Sequence, residues 1–303
     1  MRVLVTTPTG HVGSRVVERL TDAGVATRVF VRDPSRIPVG LRSRVEVWQG
    51  DLEDAAELGD AMRGVDAALL VIPSFFAQTN CLAWQRGIAR SVATAMHMQD
   101  RPPRAVFLSA IGAHRDDLGA ATGLGHAERV LAAATPDLVV LRAGSFMENV
   151  LGALPGIVQQ GALYDVPAAE RCVPTVATRD VGDVAVRWLL DDHWHGQRVV
   201  GVHGPADISY ADRARALTEV LGQRITYVQV PDTMLRQAMA GMGMSPSVVD
   251  AYTAIAIGIG RYEPLAAEPR TPETTTPTTF AAWARETLLP MATAARREAT
   301  MRA

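Results

Sequence analysis

Residues Arg2 to Arg15 read RVLVTTPTGHVGSR, and this stretch constrains the fold more than any other. Arg2-Val3-Leu4-Val5-Thr6 is an apolar, β-branched run of the kind buried on both faces of a parallel sheet. A Thr/Pro/Gly turn follows, and His11-Val12-Gly13 opens a helix in which Val12, Val16, Val17 and Leu20 share one face. A strand, a tight turn and a helix N-terminus aim unpaired N–H groups and a positive dipole end at one point, which makes an anion site. Glycines placed directly after a strand and opening a helix predict a dinucleotide-type unit. One position departs from G-x-x-G-x-x-G: Gly10 and Gly13 are present, but Thr7 stands where the first glycine belongs. A β-branched residue resists positive φ and adds bulk where the backbone should approach a pyrophosphate. Either the turn is shifted, with the Thr7 and Thr9 hydroxyls helping to bind phosphate, or the nucleotide site is weakened.

Strand and helix patterns alternate along the chain. Strand-like runs are Arg2–Thr6, Thr27–Val31, Val45–Gln49, Ala67–Ile72, Ala105–Ser109 and Leu138–Arg142, with helical patterns at Val12–Ala23, Ala55–Met62, Gln78–Met98 and His126–Ala134. This order predicts an α/β fold, a Rossmann doubly wound parallel sheet with a small, mostly helical C-terminal lobe. Right-handed crossovers then carry the carboxyl ends of the strands to one edge, where ligands bind. After about residue 150 the pattern loosens: a helix enters at Arg179–Asp183, a strand follows at Val199–His203, and Ser209 starts a helix ending near Gly222. Ile225–Val230 reads as a strand, residues 231–260 as two helices split at Gly243–Pro246, and Phe280 to about Leu288 as a short last helix. Residues 1–150 are therefore read as the nucleotide-binding domain, with contributions from about 175–205, and 151–303 as an interleaved substrate lobe.

The chain of 303 residues carries a net charge of −2 and no basic tract, which argues against nucleic acid as a partner. Cys81 and Cys172 lie far apart, as in a reduced, cytoplasmic protein. The chain begins inside a strand, leaving no room for a signal peptide, and the longest apolar stretch, Val65 to Ala77, is too short for a membrane span. The expected partner is a small-molecule substrate, and a homodimer is compatible with the sequence. All 30 basic residues are arginine, so every mechanism that needs a lysine is excluded.

Val31-Arg32-Asp33-Pro34-Ser35-Arg36 follows the second strand, where an acidic side chain would bind the ribose 2′-OH of NAD. Arg32 and Arg36 stand there instead, and guanidinium matches the 2′-phosphate of NADPH. Two solvated surface arginines are the alternative reading. Asp51 and Leu52 after the third strand are placed to meet an adenine ring, although Asp51 could simply cap the next helix. Pro73-Ser74 ends the fourth strand and Ser109 the fifth, so these residues border the nicotinamide. Phe75, Phe76 and Trp84 are candidates for an aromatic wall, with loop packing as the alternative.

Several pieces resemble the NmrA-like, atypical short-chain dehydrogenase/reductase family over nearly the full length. They are Thr9-Gly10-His11-Val12-Gly13, Val31-Arg32-Asp33-Pro34, Gly50-Asp51-Leu52, the run Leu141 to Asn149, Arg179 to Ala185, Gly204-Pro205 and Thr278 to Glu286. The resemblance implies NAD(P) binding and either reduction of quinones or phenylpropanoids or a regulatory role without turnover. Short-chain dehydrogenases usually place Tyr-x-x-x-Lys after the fifth strand; here no lysine exists, and none of the five tyrosines falls between Ser109 and Ala134. His126, close to where the family places its ribose-holding residue, is a candidate acid or ribose contact, with His114 and Ser109 beside it.

These features favour an NADPH-dependent oxidoreductase acting on a conjugated small molecule, a quinone or enone, aromatic polyketide-type metabolites included. Hydride transfer to a conjugated acceptor spreads charge and can draw its proton from water. Two other readings stay open: a non-catalytic NAD(P)-sensing regulatory protein, and a cofactor-independent cyclase, dehydratase or isomerase with His126, His114 or Ser109 as acid–base groups.

Overall fold

The computed structural model describes residues 1–73 and 76–302. Six strands come first in the chain: β1 (Arg2–Thr6), β2 (Ala26–Val31), β3 (Glu46–Gln49), β4 (Ala67–Val71), β5 (Arg104–Ala110) and β6 (Leu138–Ala143). They form a seven-stranded sheet in the order β3-β2-β1-β4-β5-β6, completed beyond β6 by the strand Gln197–Val202. Every pairing in it is parallel. Successive residues alternate between its faces. Val3, Val5, Val106 and Leu108 join one apolar cluster with the helices His11–Asp22 and Thr178–Leu190, while Leu4, Ala105 and Phe107 join the cluster on the opposite face. Burial on both faces explains why these strands read as unbroken apolar runs.

Strand order reverses at β1, which lies between β2 and β4. Beyond the last paired residue there, the buried Thr6 hydroxyl donates to Leu69 O at 3.1 Å and accepts from Val71 N at 2.9 Å. This side chain holds β1 and β4 together where their backbones splay into the crevice in which open α/β sheets bind ligands.

Residues near 180 and 200 return to this sheet. In the helix Thr178–Leu190, a Cβ added at Gly182 would lie 2.7 Å from Arg15 Cγ, and Asp183 pairs with Arg15 at 3.0 Å. The rest of the C-terminal half is mostly helical, as its sequence suggests, with short strands between the helices. The strands form the three-stranded group Ser145–Phe146, Cys172–Val176 and Asp207–Ser209, and the pair Ala162–Asp165 with Thr226–Gln229. The helix Tyr210–Leu221 is bounded as expected, by a Ser209/Asp212 capping box and a left-handed Gly222. Asp232–Gly241 and Pro246–Arg261 are the two helices anticipated from the break at Gly243.

Two helices run further than the sequence indicated. The one read as His126–Ala134 starts at Ala120, because its early glycines serve close packing instead of breaking the helix. A Cβ at Gly123 would lie 1.8 Å from Gln85 Oε1, and one at Gly125 lies 1.8 Å from Ala113 O. The last helix passes through a π-type turn at Ala284–Leu288 and continues from Leu289 to Arg302. Pro290 follows closely on that π-type turn, a local irregularity of the kind found where a helix accommodates a proline, and the fully buried Leu288 and Ala292 anchor the segment. Among the described residues no helix is long and apolar enough to cross a membrane.

Candidate active site

The phosphate turn keeps its course despite Thr7. Its φ is 52°, the left-handed value that glycine would take, and Thr7 O accepts the Gly10 N–H at 3.1 Å. The threonine thus takes up the left-handed backbone conformation that the glycine pattern reserves for glycine. A Cβ at Gly13 would lie 2.2 Å from Thr7 O, so this glycine is demanded by the contact between helix and turn. Gly10 differs, since a Cβ there meets only Thr7 O at an ordinary 3.5 Å. Gly10 and His11 are exposed, Thr7 and Thr9 half-buried and Val12 buried. The helix carries no side-chain cap and no acidic residue in its first turn. Its first N–H groups follow the exposed Gly10, an arrangement suited to a pyrophosphate.

On the next loop, Arg32 and Arg36 are both exposed. Asp33 accepts the Ser35 N–H at 2.9 Å, and hydrogen bonding to the Ser35 side chain first, and to that N–H second, keeps its carboxyl below the usual range, aided by Arg36 and Arg42. The acid beside the two arginines is thus engaged in bracing its own turn. Asp51 is half-buried and Leu52 buried. The following helix is capped by Asp54, which accepts from Ala56 N and Glu57 N at 2.8 and 3.0 Å. Asp51 instead accepts from Glu53 N at 3.0 Å, so its alternative role as the helix cap is corrected.

At the far side of the crevice, Pro73 is half-buried at the end of β4, while Ser74 and Phe75 lie outside the described residues. Ser109 and Arg142 are register partners across β5 and β6, so both side chains point at the helix Ala120–Ala134. There Glu128 receives them: Ser109 Oγ donates to Oε1 at 2.5 Å, Arg142 Nε to Oε1 at 3.0 Å, and Arg142 Nη2 to Oε2 at 2.6 Å. Arg142 Nη1 also donates to Glu268 Oε1 at 2.7 Å. With its hydroxyl 2% exposed and already donating, Ser109 cannot also donate to a substrate in this arrangement.

The three proposed acid–base residues do not form one group. His114 is exposed; burial lowers its pKa first, then Arg115 and Arg142, against the opposing Glu268 and Glu128. It therefore stands with the Ser109–Glu128–Arg142–Glu268 cluster. His126 is half-buried; burial lowers its pKa first, followed by Arg129, Arg86 and Arg90, which places it among the exposed arginines of neighbouring helix faces. Glu128, Arg142 and Glu268 were missed by sequence reasoning, as were Ser145 and Asn149, whose side chains meet at 3.5 Å just past β6. The signal lay in the run Leu141 to Asn149, which carried the family resemblance without receiving a role.

A roof of C-terminal residues crosses this end of the crevice. Ser245 Oγ donates to Gln78 O at 2.5 Å and Ser247 Oγ accepts from Cys81 N at 3.0 Å. The Phe76 and Tyr252 rings meet edge-on with centroids 5.4 Å apart. On the other side, Gly119 lies so close to the helix Pro246–Arg261 that a Cβ would fall 2.0 Å from Ala251 O. Arg115 stacks on Tyr262 at 3.8 Å, and Asp117 receives both the Tyr262 hydroxyl and Arg261. Among the described residues no cluster of His, Cys, Asp and Glu could hold a metal ion.

A family model described as NAD(P)H-binding matches residues 8–192. The chain is 30% identical over 250 residues to an NAD(P)H azoreductase of Xenophilus azovorans, covering 82% of this chain and 84% of that protein. It is 31% identical over 258 residues to a (4-alkanoyl-5-oxo-2,5-dihydrofuran-3-yl)methyl phosphate reductase of Streptomyces griseus, with the same shares of 82% and 84%. Its fold matches an NADPH-dependent quinone oxidoreductase of Escherichia coli, solved in complex with NADPH, at a TM-score of 0.70 and 22% identity, over 90% of this chain and 97% of that one.

Proposed function

We propose that this chain, which belongs to the NAD(P)H-binding family within the atypical, NmrA-like short-chain dehydrogenases, is an NADPH-dependent reductase of a conjugated small molecule. A quinone or enone fits best, aromatic polyketide-type metabolites included. The observation that carries this reading is the uncapped helix end at Gly10 together with a second-strand loop that exposes Arg32 and Arg36, while its exposed acid, Asp33, is bonded to Ser35 of its own turn. The names of the two relatives at 30% and 31% identity, both reductases, support it.

In this reading the N–H groups of His11, Val12 and Gly13 hold the pyrophosphate, and Arg32 and Arg36 hold the 2′-phosphate. Asp51 and Leu52 border the adenine, and Pro73, Ser74 and Ser109 border the nicotinamide. Residues 1–150 with 175–205 form the cofactor part, and 151–303 supply the substrate lobe. When bound, NADPH supplies a hydride; the chain has to orient it, exclude water and manage one proton. Ser109 acts as a hydrogen-bond acceptor, since its own O–H is engaged in donating to Glu128. His114, exposed beside that cluster, is the side chain placed to pass a proton, and the delocalised acceptor can also take one from water.

Calorimetric titration with NADPH and NADH tests the cofactor, and loss of NADPH absorbance across a panel of quinones and enones tests the reaction. Tighter NADPH binding together with turnover of at least one acceptor is expected. A second reading, a non-catalytic NAD(P)-sensing protein, is favoured by one observation, the closed Ser109–Glu128 pair where a proton donor usually stands. NADPH binding without turnover of any acceptor would favour it.

A further inference from the structure

We propose that the outer face of the helices Cys81–His97 and Ala120–Ala134 is a docking surface for an acidic segment of another protein, held by Arg86, Arg90 and Arg129. The proposal does not draw on the cofactor reading above.

The two helices pack against each other. Arg86 and Arg90 are exposed one turn apart on the first, with the exposed His97 further along the same line, and Arg129 is exposed on the second. His126 registers that the arginines converge. After burial, every charge acting on its ring is a guanidinium: Arg129, then Arg86, then Arg90. Carboxylates do not offset them. Cys81–His97 contains no acidic residue, and the one acid of Ala120–Ala134, Glu128, is buried and bound to Ser109 and Arg142. Elsewhere exposed arginines are paired, as Arg44 is with Asp22, Arg63 with Asp60 and Arg215 with Asp212. Among the described residues Arg86, Arg90 and Arg129 make no ion pair or hydrogen bond. In a chain of net charge −2, this positive excess is local.

A face of one sign attracts a surface of the other and steers its approach. Guanidinium matches carboxylate geometry, taking both oxygens at once. Arg86 and Arg90 lie about 6 Å apart along the helix axis, the spacing of carboxylates one turn apart on a partner helix. Beside them the exposed Ala83 and Gly87 add no bulk, and even a Cβ at Gly87 would have nothing within 4 Å, so a partner can lie close. The other occupants fit less well. A second copy related by a twofold axis would set these arginines against one another. Neither helix exposes a large apolar side chain to enter a membrane.

The test titrates the full chain with a labelled Glu-Ala-Ala-Ala repeat peptide at low ionic strength, read by fluorescence anisotropy. Binding is expected, and it should weaken as salt is added. Arg86→Glu combined with Arg90→Glu should weaken it at least about tenfold, with the melting temperature unchanged. Arg224→Glu combined with Arg285→Glu makes the same change of net charge at exposed arginines of the C-terminal half; it should cost less than about twofold. No peptide binding by the folded wild type, or equal losses in the two double variants, would overturn the proposal. So would duplex DNA or phosphatidylglycerol vesicles binding more tightly than the peptide and losing that binding in the Arg86/Arg90 variant, because the face would then serve a nucleic acid or a membrane.

Discussion

Glu128 and Arg142 close on each other through two hydrogen bonds, Nε to Oε1 at 3.0 Å and Nη2 to Oε2 at 2.6 Å, with both side chains about nine-tenths buried. The pair joins β6 to the helix Ala120–Ala134, and through Ser109 and Glu268 it reaches β5 and the C-terminal segment. Arg142 is the single positive charge shared by two carboxylates, so it holds four parts of the chain at once.

Removing that charge should be costly. Arg142→Met keeps the length of the side chain but leaves Glu128 and Glu268 without their shared counter-charge. Breaking one side of a buried pair costs about 3–5 kcal/mol, and denaturant unfolding should show a loss of that size. A change within experimental error would mean that solvent reaches the cluster and the carboxylates are not dependent on Arg142.

Why this cluster escaped sequence reasoning, while the strand Arg2–Thr6 did not, follows from where the information sits. A strand covered on both faces must be apolar throughout, and that is written in consecutive letters. The helix Tyr210–Leu221 was bounded by Ser209 and Gly222 for a similarly local reason. Ser109 and Arg142 meet only because β5 and β6 pair in one particular register, and Glu128 joins them from a helix whose glycines disguised its start. The φ of Thr7 was likewise illegible, since its own residue type and Pro8 both argue against it. Arg32 and Arg36 were legible as exposed side chains after a strand, but the engagement of Asp33 in its own turn was not.

The two turn glycines should separate stability from binding. Gly10→Ala meets nothing closer than 3.5 Å and Gly10 has ordinary extended angles, so the free protein should unfold at its usual temperature. The new methyl would occupy the phosphate cradle, and NADPH affinity should fall at least about tenfold. Gly13→Ala instead drives a Cβ to 2.2 Å from Thr7 O and should destabilise the free protein by about 1–3 kcal/mol. Paired melting curves and titrations check both. If Gly10→Ala binds NADPH normally, the pyrophosphate does not sit over this glycine.

Acid should weaken the fold through His203. It is 1% exposed at the end of Gln197–Val202, and its pKa lies below the ordinary 6.5, first because of burial and then because of Arg270. The native state thus holds this ring neutral where the unfolded chain would bind a proton. Stability from this residue is full above about pH 6.5 and declines as the pH falls through and below that value. Unfolding midpoints measured from pH 7 down to about 5 should decrease, and His203→Gln should flatten that slope. An unchanged slope in the variant would assign the effect elsewhere, with His114 and His126, both lowered by burial, as the remaining histidines to test.

The roof over the crevice should set the acceptor and leave the cofactor alone. Tyr252, from the helix Pro246–Arg261, meets Phe76 edge-on at 5.4 Å, and Phe76 is still 44% exposed on the loop that follows β4. One ring comes from the loop after β4 and the other from the helix Pro246–Arg261, and the bonds of Ser245 to Gln78 and of Ser247 to Cys81 tie these two elements together. An aromatic acceptor would gain ring contacts here worth about 0.5–1.5 kcal/mol. Tyr252→Ala should therefore raise KM for aromatic quinones by roughly three- to tenfold, with little change for a small aliphatic enone. NADPH affinity, measured by titration on the same preparation, should be unaltered, because the two rings belong to the loop after β4 and to the helix Pro246–Arg261, not to the phosphate turn or the second-strand loop. Equal losses for aromatic and aliphatic acceptors would show that Tyr252 supports the roof as packing and does not select the ring.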